Sequence, residues 1–110
     1  MPWDFDKALK RSVVTVMNRI DEWGTFEIQI GELQTIVGIE LGRHMYSDET
    51  KVQVTHAIHT PVQAGPYRPG RPYWDDPEYA LDQAVRSLTD YYKQAVRAGH
   101  APQESWLVRY

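Results

Sequence analysis

Apolar residues alternate with polar ones in three stretches between residues 25 and 60, and this alternation constrains the fold more than any other feature of the sequence. Successive side chains of a β-strand point to opposite faces of the sheet, so a period of two is typical of a strand with one buried face. The pattern predicts a three-stranded antiparallel meander with one apolar face. The alternating positions are Phe26, Ile28 and Ile30, then Leu33, Thr35, Val37, Ile39 and Leu41, and finally Val52, Val54 and Ile58.

The first turn of this meander is predicted at Gly31. Glycine at the first central position of a two-residue hairpin is what a type II′ turn requires. Such a hairpin pairs Ile30 with Leu33 and, further along, Phe26 with Val37. The apolar residues of the two strands then share one face, which a slip of one residue would destroy.

The second turn is predicted around residues 47–50. It pairs Tyr46 with Lys51 and, further along the same strands, Ile39 with Ile58. This register also keeps the apolar residues on a single face, so both turns are consistent with the same buried surface.

A helix-turn-helix across residues 31–58 is the alternative interpretation of this region. Its first helix would span residues 31–37, and its second would span residues 48–58 behind Ser47 as the cap. The second segment is rich in Thr and Val, which favour strands, and a helix does not explain the strict alternation over residues 33–41.

Residues 4–23 are predicted to form an α-helix. Apolar residues recur there at intervals of three and four, which is the spacing of one helical face. Asp4 can cap the N-terminus, and Gly24 follows the last apolar residue as a stop. The apolar positions are Phe5, Ala8, Leu9, Val13, Val16, Met17, Ile20 and Trp23.

A second helix is predicted to begin at residues 76–78, where a cap, a proline and an acidic residue follow one another. Gly99 ends it, and the alternation over residues 105–110 predicts a short final strand. The apolar stripe of the helix comprises Leu81, Ala84, Val85, Leu88, Tyr92, Ala95 and Val96.

The order of elements is therefore α-β-β-β-α-β. Two helices packed on the apolar face of an antiparallel sheet form a two-layer α+β sandwich, and the place of the C-terminal strand stays open. A chain of 110 residues fits a single domain over residues 1–110.

Charge and cysteine content exclude several classes of protein. A formal net charge of −3 argues against a strongly basic nucleic-acid binder and is too mild for a mimic of DNA. The absence of Cys excludes disulfides, thiol catalysis and thiolate metal sites. No apolar run approaches the roughly 20 residues that span a membrane, and the acidic start lacks the order of a secretion signal. We therefore expect a cytoplasmic protein without membrane contact.

Residues 61–76 are the best candidate for a binding surface. Their prolines and glycines argue against a regular element, and long connections of this kind are often functional. Arginine, tyrosine and tryptophan dominate hot spots at protein interfaces, so the segment predicts a partner-binding site. The candidate residues are Tyr67, Arg68, Arg71, Tyr73 and Trp74.

These features predict a small non-enzymatic accessory or regulatory protein that binds a protein partner. The same residue types also grip single-stranded nucleic acid, so a nucleic-acid-binding module, through this loop or a helix-turn-helix at residues 31–58, is the alternative. In a purely structural interpretation, Tyr73 and Trp74 fold back as a lid over the sheet while Arg68 and Arg71 face water.

The polar face of the meander offers a catalytic alternative. In the predicted register His59 lies diagonal to Glu40, and a carboxylate beside an imidazole can act as a general acid–base pair in a small enzyme. A solvated cross-strand pair is the simpler interpretation, because the strands supply no Ser or Cys nucleophile.

Neither a metal nor a cofactor site is predicted, because His56 and His59 point to opposite faces of a strand. Gly38 and Gly42 lie on the outer face, where glycine often marks the close approach of another backbone. That neighbour would be the loop over residues 61–76 or a second subunit, so a homo-oligomer through the outer face is an alternative.

Overall fold

A computed structural model of the protein describes residues 4–43, 48–68 and 73–110. Five strands form an antiparallel sheet in the order β1-β2-β3-β4-β6, while β5 and β7 pair in a second, two-stranded ladder. The long helix α2 packs on this β-structure, which confirms the predicted α+β sandwich. The elements are α1 (Asp6–Leu9), β1 (Val14–Ile20), β2 (Thr25–Ile30), β3 (Val37–Arg43), β4 (Thr50–Val54), β5 (His56–Ile58), β6 (Tyr73–Trp74), α2 (Pro77–Arg97) and β7 (Leu107–Arg109).

The predicted helix over residues 4–23 is wrong beyond its first turn. Only Asp6–Leu9 is helical, and Val14–Ile20 pairs with β2 as an edge strand. The cause is the run of β-branched residues at 13–16, which lose rotamer freedom in a helix but fit the pleated surface of a sheet. Val16 and Met17, expected to be buried, are exposed in this edge strand.

The β2–β3 pair keeps the predicted buried face but not the predicted register. Phe26 lies opposite Ile39 rather than Val37, so the ladder is displaced by two residues. The Leu33 N–H donates to the Ile30 carbonyl at 2.9 Å, so a turn does form at Gly31, but pairing begins only at Val37. A shift of two residues preserves the facing of every side chain, which is why burial was predictable and register was not.

The β3–β4 pair differs further from its prediction. Ile39 lies opposite Val54 instead of Ile58, so this ladder is displaced by four residues, and the chain bends at Thr55 after β4 ends. Beyond the bend, β5 leaves the main sheet to pair with β7. The strands also show that the helix-turn-helix interpretation is wrong, while the predicted turn at residues 47–50 begins outside the described residues.

Helix α2 forms as its local signals predict. Asp76 caps it by accepting from the Tyr79 N–H at 2.7 Å, and Gly99, with φ of 93°, follows its end. Val96 is an exception to the predicted stripe, since its side chain is 43% exposed. The buried face of α2 packs against the inner face of β2 and β3 in one hydrophobic cluster, whose largest fully buried side chains are Phe26, Ile28, Ile30, Leu33, Ile39, Ile58, Leu81 and Leu88.

Among the described residues, Thr55 is the close neighbour of Gly38. A Cβ on Gly38 would lie 3.1 Å from the Thr55 Cγ2 atom, and the Gly38 N–H donates to Thr55 Oγ1 at 2.9 Å. The bend after β4 therefore packs onto this glycine, whereas no described atom lies within 4 Å of a Cβ on Gly42.

Candidate partner-binding groove

A groove with a volume of about 370 Å³ lies between β4 and α2. Residues 51–54 of β4 form one wall, and Gln83, Ala84 and Ser87 of α2 form the other. Trp74 and Tyr110 complete the lining. Because Val52 and Val54 lie opposite Leu41 and Ile39 in the ladder, they face α2 and contribute the apolar part of the wall.

Strand β6 brings Trp74 to the groove. Thr50 of β4 pairs with Trp74 and Lys51 pairs with Tyr73, and residues 52–54 of β4 follow in the wall of the groove. The formation of β6 also corrects the expectation that residues 61–76 contain no regular element, because Tyr73 and Trp74 are extended and pair with β4.

Two aromatic residues of the 61–76 loop, Tyr67 and Trp74, pack against aromatic residues of α2. The Tyr67 ring meets the Tyr91 ring edge-on at a centroid distance of 5.6 Å, and the Trp74 ring meets Tyr79 edge-on at 5.4 Å. Tyr67 is also fixed through its backbone, since its N–H donates to the Ile58 carbonyl at 2.9 Å. These contacts set the positions of aromatic side chains that remain partly exposed.

Arg68 is held above one end of the groove. Its Nη2 donates to the carbonyl oxygen of Arg109 at 3.1 Å, and its Cζ atom lies 5.6 Å from the centroid of the Tyr110 ring. A guanidinium over an aromatic face at this distance makes a cation–π contact. Lys51 lies in the wall of the same groove, and none of the described residues that line it is Asp or Glu. The groove is therefore locally cationic on a chain with net negative charge.

The structure brings two of the five predicted site residues to the groove. Trp74 lines it and Arg68 lies over the Tyr110 ring in its lining, whereas Tyr67 contacts Tyr91 of α2. Tyr73 pairs with Lys51, and Arg71 lies outside the described residues. Sequence reasoning missed the groove walls, because Lys51, Gln83 and Ser87 carry no motif and Tyr110 appeared only as the end of a strand.

The proposed pairing of Glu40 with His59 does not form. Glu40 lies opposite Thr25 and Gln53, whereas His59 follows β5 and donates its N–H to the Trp106 carbonyl at 2.8 Å. The separation results from the bend after Val54, which carries the following residues into the second ladder. The predicted register that placed His59 diagonal to Glu40 is therefore wrong.

His56 is engaged locally rather than in a cluster. Its Nδ1 lies 2.7 Å from Thr55 Oγ1, and burial, with the charge of Arg109, lowers the pKa of its imidazole. Across the described part of the chain, no group of three or more His, Asp or Glu side chains is arranged to hold a metal ion.

A second cleft, of about 410 Å³, is acidic. Trp23, which is 73% exposed, and Phe5 contribute its aromatic lining. Its carboxylates would repel phosphate, so this cleft offers no support for nucleic-acid binding. They belong to Asp21, Glu22, Asp48, Glu49 and Asp75.

The fold and the groove thus define a small α+β sandwich with an aromatic and cationic cleft between β4 and α2. No protein-family model matches the chain, and no match was found among the curated proteins or the solved structures with which it was compared. Among the described residues, no helix is long and apolar enough to cross a membrane.

Proposed function

We propose that this protein is a small non-enzymatic accessory or regulatory protein that binds a segment of a protein partner in the groove between β4 and α2. The observation that carries the proposal is that Trp74 and Arg68, singled out by residue type alone, meet at one groove with apolar walls: Trp74 lines it and Arg68 lies over the Tyr110 ring at one end.

The side chains at this groove suit protein recognition. Tryptophan, tyrosine and arginine contribute most to binding energy at interfaces, because they bury large areas and add directed donors. Trp74, Arg68 and Tyr67 are already positioned by intramolecular contacts, so binding would order few further rotamers. Ordering a flexible side chain costs about 0.5–1.5 kcal/mol, and this cost is reduced here.

The size of the groove favours a short segment of the partner. Clefts of roughly 300–1,000 Å³ enclose ligands of the size of a drug or a few side chains. A volume of about 370 Å³ stands near the lower end of that range. The partner would therefore insert a few residues rather than dock a whole domain face.

A displayed library of random dodecapeptides, selected on the immobilised protein, tests the proposal directly. Ser87→Trp places an indole in the groove from the α2 wall, where the Ser87 side chain is partly exposed. Gln94→Trp, at an exposed position of the same helix, is the matched control. Thermal unfolding of both variants establishes that they are folded.

Selected peptides are expected to bind the wild type and Gln94→Trp equally, and to lose at least about tenfold in affinity to Ser87→Trp and Trp74→Ala, since truncation of a hot-spot residue costs about 2 kcal/mol or more. If every enriched peptide binds Ser87→Trp as well as the wild type, the groove is not the binding site and the proposal is wrong.

A further inference from the structure

We infer that two copies of this chain exchange their N-terminal arms, residues 4–12, so that each arm packs on the body of the other copy. The partner is therefore a second copy of the chain. The exchange does not involve the groove between β4 and α2 and is independent of the proposed function. A strained turn between the arm and β1 carries the inference.

The arm is joined to β1 by a tight turn over residues 11–14. The Val14 N–H donates to the Arg11 carbonyl at 3.2 Å and closes this turn. The third residue of the turn is Val13, whose φ is 63°. Turns with a positive φ at this position usually carry Gly or Asn, because the Cβ of other residues, and above all a branched one, collides with the backbone. Valine is thus poorly suited to this turn.

An extended hinge would relieve this strain. The left-handed conformation destabilises a residue with a Cβ atom, and β-branched valine prefers the extended one. When the arm swings away, Val13 becomes free to extend and to lengthen β1. Its carbonyl already accepts from the Gly31 N–H at 2.7 Å, which continues the ladder that pairs Val14 with Ile30. The opened hinge therefore keeps this hydrogen bond and loses the strain.

The contacts of the arm are ones that an exchanged arm would reproduce. The Phe5 ring meets the Phe26 ring of β2 edge-on at 5.1 Å. Arg11 donates from Nε and Nη2 to Asp82 Oδ1 of α2, at 2.9 and 2.6 Å. Phe26 and Asp82 lie beyond the hinge in the sequence, so the same contacts form on the body of a second copy. The buried side chains of the arm are Phe5, Ala8 and Leu9.

Tethering and strain decide between the closed monomer and the exchanged dimer. A tethered arm competes for its own site at an effective concentration on the order of millimolar. The exchanged dimer releases two strained hinges, which lowers the concentration at which a second copy competes by about tenfold or more. Because the other contacts are common to both forms, we expect the dimer from roughly 0.1 mM protein upward.

Size-exclusion chromatography with light scattering tests the role of the turn. The protein is incubated in moderate urea at concentrations up to millimolar, to allow the arms to open, and is then returned to buffer. Val13→Asn relieves the strain, because asparagine tolerates a left-handed φ. Val14→Asn is the matched control, since it makes the same change at a neighbouring half-buried valine whose φ is not positive. Circular dichroism establishes that both variants are folded.

The wild type and Val14→Asn are expected to form a dimer whose fraction rises with protein concentration. Val13→Asn should need at least about tenfold more protein to reach the same fraction. A wild type that stays monomeric at millimolar concentration overturns the inference. Equal dimerisation of the two variants also overturns it, because the turn would then not drive the exchange.

Cross-linking tests whether the arms cross between chains. The chain has no cysteine, so Lys7→Cys and Glu78→Cys introduce the only two thiols, at positions of α1 and α2 that line one cleft. A short bismaleimide joins them within one chain in the monomer and between chains in the exchanged dimer. The isolated dimer should therefore run as a covalent dimer on a denaturing gel, and the isolated monomer as a single chain. A dimer fraction that runs as single chains overturns the inference, because the copies would then associate through another surface.

Discussion

Gly31 is restricted both by its left-handed backbone conformation and by the packing of the Tyr92 side chain against it. Its φ is 52°, and a Cβ atom at this position would lie 2.1 Å from the Tyr92 hydroxyl oxygen. That hydroxyl accepts from the Glu32 N–H at 3.0 Å, so the ring cannot move away without breaking this hydrogen bond.

Gly31→Ala is therefore expected to lower the free energy of unfolding by more than about 2 kcal/mol, from the left-handed backbone and the displaced ring. Gly42→Ala is the matched control, because its Cβ meets no described atom within 4 Å and its φ is not positive. Replacing a strand glycine of this kind should raise stability by about 0.5 kcal/mol or leave it unchanged. Urea unfolding of both variants decides, and equal effects would show that Tyr92 does not pack on Gly31.

At the scale of single elements, two exposed valines report on the conformation of their segments. Val16 in β1 is 38% exposed and Val96 in α2 is 43% exposed, so truncation of either removes little buried area. Alanine favours helices and valine favours strands. Val16→Ala is expected to destabilise the protein by about 0.5–1 kcal/mol, and Val96→Ala to stabilise it by a few tenths. Effects of the same sign in chemical denaturation would mean that residues 14–20 are not a strand.

The contrast between these two segments shows what the sequence could predict. The limits of α2 follow from local signals, the Asp76 cap and Gly99, that do not depend on the rest of the fold. Residues 14–20 carry a helical spacing of apolar residues, but they become a strand because β2 offers a partner along its length. Local spacing cannot reveal such long-range pairing.

The candidate site, too, was predictable from the sequence only in part. Tyr67, Arg68 and Trp74 were predictable from residue type, since stackable rings and arginine concentrate in one proline-rich segment. The groove was not, because its walls come from β4, α2 and Tyr110, which are distant in the sequence and meet only in the tertiary fold. The registers that position these walls also differ from the predicted ones, by two residues for β2–β3 and by four for β3–β4.

The Glu104 side chain forms hydrogen bonds that link the turn at Glu104–Trp106 to the connection between β2 and β3. Its carboxylate accepts from the N–H groups of Gln34 at 2.7 Å and Thr35 at 3.0 Å, and from the Thr35 hydroxyl at 2.7 Å. The Gln34 backbone contact is the largest of the hydrogen bonds that lower the pKa of this carboxyl below its ordinary value of 4.5.

A lowered folded-state pKa means that the contribution of Glu104 is present above the ordinary carboxyl pKa and is lost as pH falls through the folded value. The wild type should therefore exceed Glu104→Gln in stability at pH 7, and the difference should shrink between about pH 5 and pH 3. Urea unfolding of the two proteins across this range measures it. A difference that stays constant with pH would show that the ionised carboxylate is not what holds the connection.

At the scale of the whole molecule, the five-stranded sheet and the β5–β7 ladder share one buried cluster. Ile58 and Leu107 of the small ladder belong to the same hydrophobic cluster as Phe26 of the main sheet. Helix α2 joins them further, because the Tyr92 ring contacts both Gly31 and, edge-on at 5.8 Å, Trp106. Detachment of α2 would therefore expose apolar residues of both β-structures.

We therefore expect the two β-structures to unfold together in a single cooperative transition, as chains of this size commonly do. Far-UV circular dichroism follows the helix and strands, while tryptophan fluorescence includes buried Trp106 beside the small ladder. The two probes should give the same midpoint in urea, with a slope of about 1–2 kcal/mol/M. The variant Trp74→Phe removes a partly exposed tryptophan, so that Trp106 contributes a larger share of the fluorescence. The fluorescence midpoint of this variant should still coincide with its circular dichroism midpoint. A fluorescence transition at lower urea would show that the β5–β7 ladder and the C-terminal residues detach first. The Tyr110 end of the groove would then open independently of its β4 wall.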